Sequence, residues 1–98
     1  MTVEIKRNGP ELVIELAGRL DSTTAPELDK VIDENAYGVG SLILDIKKLE
    51  YVSSAGLRVI LAAHKKVHKS GHMKIKNACE AVMEVFEVTG FADILVIE

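Results

Sequence analysis

The sequence contains a single cysteine, Cys79, no tryptophan and only 4% aromatic residues. One cysteine excludes an internal disulfide, which favours a reducing compartment, so we expect a cytoplasmic protein. Because aromatic residues are scarce, the core has to be built mainly from Val, Ile and Leu. No apolar run approaches the roughly 20 residues of a membrane-spanning helix, and no signal peptide is recognisable, so we expect no membrane partner.

Positive charge is scarce as well, since 12 basic residues face 15 acidic ones and the formal net charge is −3. Nucleic-acid-binding proteins need concentrated positive charge, so we expect no direct nucleic-acid partner. The Lys-rich stretch 65–76 is interpreted as a solvated face. At 98 residues the chain has room for one hydrophobic core, which predicts a single domain over 1–98.

The sequence begins with two alternating apolar and polar runs on either side of Asn8-Gly9. This pattern predicts an antiparallel hairpin with strands at about 2–7 and 11–18. Three amphipathic helical patterns then alternate with short apolar runs, which are typical of parallel strands that are buried on both faces. The order ββαβαβαβ predicts an α/β fold, a small mixed sheet flanked by about three helices.

Several local signals set the ends of the predicted helices. Thr24 and Glu27 have the spacing of a capping box, and Pro26 suits a first helical turn. Gly71 and Gly90 are predicted to end the second and third helices as C-caps. In the second helix one stripe is assigned to the core (Leu57, Ile60, Leu61 and Val67), and a set of small apolar residues is assigned to the outward side (Ala55, Val59, Ala62 and Ala63).

Hydroxyl side chains concentrate in two segments that we expect to leave the carboxyl ends of parallel strands, where α/β sheets bind ligands. Segment 19–24 contains Asp21, Ser22 and Thr23, and segment 47–54 contains Ser53 and Ser54. Both segments lead into a helix N-terminus, which favours an added negative charge such as a phosphate. Gly56 removes a side chain from the first turn, so we expect another surface to approach there.

Plainer interpretations of these residues remain open. Ser53 or Ser54 is explained by a helix N-cap alone, and Asp21 by a turn. His64, His68 and His72 suggest a metal site, but no Cys or carboxylate has matching spacing, so we predict ordinary surface or half-buried histidines and no metal. The segment "VSSAG" matches the hydrolase pattern G-x-S-x-G only in part, so an enzyme with Ser54 as nucleophile is the disfavoured alternative.

Three segments, "GRLDSTTAPEL", "YVSSAGLRVIL" and "VFEVTGFADIL", resemble the STAS family of bacterial anti-sigma factor antagonists in order and separation. The resemblance implies phosphorylation at Ser54 by an anti-sigma factor that is a serine kinase, and dephosphorylation by a serine phosphatase. It further implies that the unphosphorylated form binds the anti-sigma factor and releases a sigma factor. The acidic residue of the family's first strand–helix loop corresponds to Asp21.

Two residues depart from the family pattern. Ser53 stands where Asp is often found and leaves a second candidate acceptor, while Arg58 stands where glycine is common. The expected partner-binding surface near the switch comprises Asp21, Ser22, Thr23, Ser53, Ala55, Gly56, Arg58 and Val59. We expect no cofactor, no catalysis, and a monomer or weak dimer. The alternative is a STAS-type sensor or scaffold that binds another partner or a small ligand without sigma-factor regulation.

Overall fold

The computed structural model describes residues 1–36 and 38–98, and its element order confirms the predicted ββαβαβαβ arrangement. Within these residues, five strands and three α-helices are joined by short connections and one 3₁₀ turn. In chain order they are β1 (Thr2–Asn8), β2 (Glu11–Leu20), α1 (Ala25–Asn35), β3 (Ser41–Val52), α2 (Ser54–His68), β4 (His72–Lys76), α3 (Glu80–Thr89), the 3₁₀ turn (Phe91–Asp93) and β5 (Val96–Ile97).

The strands form one sheet in the order β1-β2-β3-β4-β5, in which β1 pairs antiparallel with β2 and every other pair is parallel. The hairpin pairs Asn8 with Glu11, so the turn consists of Gly9 and Pro10, and Gly9 has a φ of 61°. A parallel pair needs a crossover, and α1, α2 and α3 supply the three crossovers. The predicted mixed sheet with three helices is therefore confirmed.

One side of the sheet carries the hydrophobic core. The parallel register places Leu12 beside Leu42 and Ile14 beside Leu44, and the latter lies beside Ile75 in β4. These aliphatic side chains are fully buried and share one cluster with residues from all three helices, including Phe86 of α3. Side chains alternate along a strand, so the other face carries the charged positions. The helices thus cover a single face of the sheet.

Strand β3 is longer than the sequence pattern predicts. It runs through Lys47 to Val52, a segment that we expected to form a loop. Its pairing with β2 shifts twice, between Glu15 and Ala17 and between Gly18 and Arg19, and each shift adds one residue to β3. Such bulges break the two-residue alternation. Because the burial pattern beyond Ile46 follows a spacing of three, the segment did not look like a strand.

The prediction that Gly71 is a left-handed C-cap is wrong. Helix α2 ends at His68, its C-cap Lys69 is right-handed, and Gly71 is not among the residues with positive φ. Instead, a Cβ on Gly71 would overlap the backbone of Gly40, whose carbonyl accepts a hydrogen bond from His72 N–H at 3.1 Å. Gly71 is needed for this close approach of two backbones. The prediction that Gly90 ends the third helix is confirmed, and its φ of 81° is left-handed.

The face of α2 that meets the sheet differs in part from the predicted one. Leu57, Ile60 and Val67 are buried as expected, but Ala63 is also buried, at 1% exposure, and Leu61 is only half-buried. The assignment of Ala63 to the outward side was wrong. A small residue at this position lets the helix lie close to the core.

Replacement of Gly71 by Ala should destabilise the protein by about 2 kcal/mol or more, because the backbone of Gly40 has to move to admit the methyl group. Gly9→Ala is the matched control. Its position has positive φ but open space, so the expected cost is only about 1 kcal/mol from backbone conformation. Urea unfolding measures both, and equal losses for the two variants would contradict the close-contact role of Gly71.

Candidate functional site

The candidate site lies where β2 and β3 end side by side. Their last paired residues are Leu20 and Val52, and the N–H of Ser53 donates to the Leu20 carbonyl at 2.8 Å. Neighbouring strands lie about 4.8 Å apart, so the residues that follow these strand ends are close in space. The structure therefore brings the Asp21 loop and the Ser53–Ser54 pair together at the carboxyl edge of the sheet.

Ser53 is the N-cap of α2. Its backbone is extended, with φ −91° and ψ 174°, and its hydroxyl oxygen accepts a hydrogen bond from Gly56 N–H at 3.3 Å. The Ser53 carbonyl accepts from Leu57 N–H at 2.9 Å. The side chain is half-buried. The plain N-cap interpretation therefore describes Ser53.

Ser54 is the first residue of α2 and is exposed. Among the hydrogen bonds within residues 1–36 and 38–98, none uses its hydroxyl. Unpaired N–H groups and the positive end of the helix dipole surround this position, which suits an added negative charge. The two adjacent serines thus have different environments: one hydroxyl is bound to the helix, and the other faces solvent.

Gly56 is buried, and the side on which a Cβ would lie faces the interior of the protein. An added Cβ would lie 2.7 Å from Leu20 Cγ and 3.0 Å from the Leu20 carbonyl oxygen. The surface that approaches this glycine is therefore part of the same chain. The space beside Gly56 is occupied by Leu20, which packs the start of α2 against the end of β2.

Asp21 organises the loop before α1. Its carboxylate accepts hydrogen bonds from the N–H groups of Thr24 at 3.1 Å and Thr23 at 3.0 Å. These bonds, the Thr24 hydroxyl and the Arg19 guanidinium, 3.9 Å away, hold the pKa of Asp21 below its ordinary value of 3.8. Asp21 is therefore a loop-forming residue, as its turn interpretation predicted.

The predicted capping box of Thr24 and Glu27 does not form. Thr24 is the N-cap of α1, but its side chain makes no cap hydrogen bond. Its hydroxyl instead donates to the Arg19 carbonyl at 2.8 Å and accepts from Asp21 N–H at 2.9 Å. The Thr24 side chain therefore closes the loop, while the predicted Pro26 in the first helical turn is confirmed.

Arg19 and Tyr51 also belong to the site, although sequence reasoning did not single them out. They are paired across β2 and β3, and the Arg19 guanidinium carbon lies 4.2 Å from the centre of the Tyr51 ring. Both are exposed, and such Tyr and Arg side chains are common in protein interfaces. The available signal was their position just before the two hydroxyl-rich segments, but the bulges hid the strand pairing.

The remaining candidate residues surround Ser54 with mixed chemistry. Ser22, Thr23 and Arg58 are exposed, whereas Ala55 and Val59 are half-buried and pack partly against the core. The resulting surface combines hydroxyl groups, a cation and small apolar groups.

The three histidines lie away from this surface. His64 is half-buried, His68 is exposed, and their rings stack with centroids 5.8 Å apart near the end of α2. His72 opens β4, at the amino edge of the parallel strands. Within the residues that the structure describes, no group of three or more His, Cys, Asp or Glu side chains is arranged to bind a metal ion. The same residues include no helix with the length and apolar content to cross a membrane.

The different environments of the two serines predict different effects on stability. Ser53→Ala should destabilise the protein by about 1 kcal/mol, because it removes the N-cap of α2. Ser54→Ala should change stability by less than about 0.5 kcal/mol, because an exposed surface hydroxyl is removed. Urea unfolding of the two variants measures the difference, and a larger loss for Ser54→Ala would contradict the assignment.

The lowered pKa of Asp21 predicts a pH-dependent contribution to stability. Its carboxylate stabilises the fold fully above the ordinary value of 3.8, and this contribution is lost as the pH falls through the lower folded-state pKa. Asp21→Ala should therefore lower the Tm at pH 7, and the difference from wild type should shrink toward pH 2. Ser22→Ala, next to it and exposed, is the control. A difference that is constant or grows in acid would contradict this role.

Comparison with known proteins identifies the family. The model of the STAS domain matches residues 2–98. The anti-sigma-B factor antagonist of Bacillus subtilis is 31% identical over 96 residues, which cover 97% of this chain and 88% of that protein.

Solved structures show the same fold. An anti-sigma factor antagonist from Mycobacterium paratuberculosis superposes with a TM-score of 0.89 at 22% identity, covering 98% of this chain and 83% of that one. SpoIIAA, an anti-sigma factor antagonist, gives 0.85 at 19% identity in its unphosphorylated form, covering 99% of this chain and 88% of that one. The phosphorylated form of Bacillus SpoIIAA gives 0.76 at 18% identity, covering 99% and 91%. With the family model matched over nearly its whole length, this chain belongs to the STAS domain family.

Proposed function

We propose that this protein is an anti-sigma factor antagonist whose partner binding is switched by phosphorylation of Ser54. The name of the Bacillus subtilis relative supports the antagonist function, and the existence of phosphorylated and unphosphorylated SpoIIAA supports a phosphate switch on this fold. The observation that carries the proposal is an exposed hydroxyl at the first position of α2, beside a serine whose hydroxyl is bound as the helix cap.

The two serines differ in how readily a kinase can use them. The Ser53 hydroxyl is half-buried and caps Gly56, so its transfer into a kinase site would break the start of α2. The Ser54 hydroxyl reaches solvent while the helix stays intact. We therefore assign the phosphate acceptor to Ser54 and retain Ser53 as the structural cap.

The free protein can carry a phosphate on Ser54, whereas an interface that covers Ser54 cannot accommodate it. A phosphoryl group brings about −1.5 to −2 charges, and the N–H groups at the start of α2 stabilise negative charge there. When a partner covers Ser54 together with Ala55 and Val59, that charge loses its hydration. The loss costs several kcal/mol if no cation of the partner compensates it, which is enough to abolish micromolar binding.

The partners in this scheme are an anti-sigma factor with serine kinase activity, which binds the unphosphorylated form, and a serine phosphatase. Arg19 and Tyr51 extend the expected contact surface, because they lie on the neighbouring strands just before Asp21 and Ser53. Their exposed guanidinium and ring supply the kind of side chains that dominate binding energy in interfaces.

The positions of the histidines favour binding over catalysis. A serine nucleophile needs a base within hydrogen-bond reach. His64 is ten residues along α2 from Ser54, about 15 Å at the rise of an α-helix, and His68 is farther. His72 begins β4, at the opposite edge of the sheet from the strand ends that precede Asp21 and Ser53. We therefore propose that Ser54 is a substrate of another enzyme.

The direct test is the affinity for the anti-sigma factor kinase of the same organism, measured by titration calorimetry. Ser54→Ala should bind as the wild type does, whereas Ser54→Glu should bind at least about 10-fold more weakly, because it carries a charge into the interface. Thr2→Glu is the control, since it adds the same charge at an exposed position of β1. Unchanged affinity of Ser54→Glu would contradict the switch, and a protein that binds no such kinase would favour the sensor or scaffold alternative.

A further inference from the structure

Charge is divided unevenly along the second half of the chain. Residues 58–76 contain six basic residues and no acidic one, whereas residues 77–98 contain five acidic residues and no basic one. A chain with a net charge of only −3 therefore carries two adjacent segments of opposite sign. The first segment covers most of α2 and β4, and the second covers α3 and β5.

Ion pairs within the chain use only part of this charge. Glu98 pairs with Lys74 at 3.2 Å and with Lys76 at 3.7 Å, and Lys66 pairs with Asp33. In the ion pairs found among residues 1–36 and 38–98, seven exposed charged residues of the two segments take no part: Arg58 and Lys65 on α2, Lys69 at its C-cap, Glu80, Glu84 and Glu87 on α3, and Asp93 in the 3₁₀ turn.

The free lysines lie on a groove beside the C-terminal half of α2. Ala62, Lys65, Lys66 and Lys69 have the spacing of one helix face, and with Ala36 and Ser70 they line a groove of about 410 Å³. We call these six residues the basic groove. Its lining combines two alanines with three lysines, and a lysine can lay its apolar stem along such a surface while its charged end stays in water.

Helix α3 carries a complementary face. Its inner side buries Val82 and Phe86, but Ala81, Glu84, Val85 and Val88 form a second stripe with the same helical spacing beside a hollow of about 260 Å³. We call these four residues the acidic stripe, because Glu84 belongs to it and α3 carries no basic residue. Val88 is 79% exposed, more than any other large hydrophobic side chain of the described residues.

We propose that the protein associates with itself, with the acidic stripe of one copy packed in the basic groove of another. The two surfaces match in charge, and each includes an exposed alanine on its helix face, Ala62 on α2 and Ala81 on α3, so the two helices can approach closely. The apolar contact would cover Val88, while Lys65 and Lys69 would meet Glu84 and its neighbour Glu87. The low net charge keeps the long-range repulsion between copies small.

The two surfaces are different, so the contact is of the head-to-tail kind. A pair of copies leaves one basic groove and one acidic stripe free, and further copies can add at either end. One helix face on each side forms a small contact, so the association is weak and sensitive to salt. It does not depend on the proposed function. Ser54 and Lys69 are at opposite ends of α2, about 22 Å apart along the helix, so a contact at the basic groove leaves Ser54 accessible.

The test uses the purified full chain and sedimentation velocity. At low ionic strength the mean sedimentation coefficient should rise as the concentration goes from about 20 μM to about 1 mM, a range that suits weak contacts, and the rise should disappear at about 0.5 M salt. Two double variants each reverse the charge of one surface. Lys65→Glu with Lys69→Glu changes the basic groove, and Glu84→Lys with Glu87→Lys changes the acidic stripe and its neighbour. Each variant alone should stay monomeric, and an equimolar mixture of the two should associate again.

The control exchanges the exposed i,i+4 pair Lys30 and Glu34 of α1, so Lys30→Glu with Glu34→Lys should associate as the wild type does. Circular dichroism establishes that all variants are folded. A wild-type protein that stays monomeric at about 1 mM and low salt would overturn the proposal, since even a weak contact of about 1 mM Kd is populated there. Association that persists in either reversed variant alone would also overturn it, because the contact would then lie elsewhere.

Discussion

The structure depends on the parallel pairing of β2 with β3, which ends in the hydrogen bond from Ser53 N–H to the Leu20 carbonyl. This register aligns Leu12 with Leu42 and Ile14 with Leu44, so it sets the rows of the core. Two extra residues in β3 form bulges before the strands end, and bulges increase the local twist. Strands β2 and β3 end at the same edge of the sheet, and a helix follows each of them. Because Gly56 has no side chain, the start of α2 packs directly against Leu20.

That geometry gives two neighbouring serines different chemistry. Ser53 follows the paired strand and turns its hydroxyl toward Gly56 N–H, so it is committed to the helix cap. Ser54 is one residue further and points to solvent at the positive end of α2. Asp21 has a comparable structural task in the neighbouring loop, where its carboxylate binds the N–H groups of Thr23 and Thr24. The capping hydroxyl and the exposed hydroxyl thus belong to residues joined by a single peptide bond.

Local patterns in the sequence predicted the order of the elements, because each helix and most strands have a clear hydrophobic period. Predictions from local patterns were wrong where contacts between residues distant in sequence determine the structure. The bulges in β3 replace alternation by a spacing of three beyond Ile46, so the strand was expected to end too early. A side chain on Gly71 would overlap the backbone of Gly40, and one on Gly56 would overlap Leu20. Both neighbours are distant in sequence. The pairing of Arg19 with Tyr51 also depends on the shifted register of β2 and β3, which the sequence does not reveal. The hydroxyl-rich segments were visible, but only the three-dimensional structure distinguishes the free hydroxyl from the cap.

We propose Ser54, and not Ser53, as the residue on which a phosphate is placed and removed. The most direct measurement is to incubate the protein with anti-sigma factor kinases and ATP and to locate the phosphate by tandem mass spectrometry of the peptide that contains both serines. Phosphate should appear on Ser54, be lost in Ser54→Ala and be retained in Ser53→Ala. Phosphate on Ser53 alone, or no phosphate with any of these kinases, would contradict it.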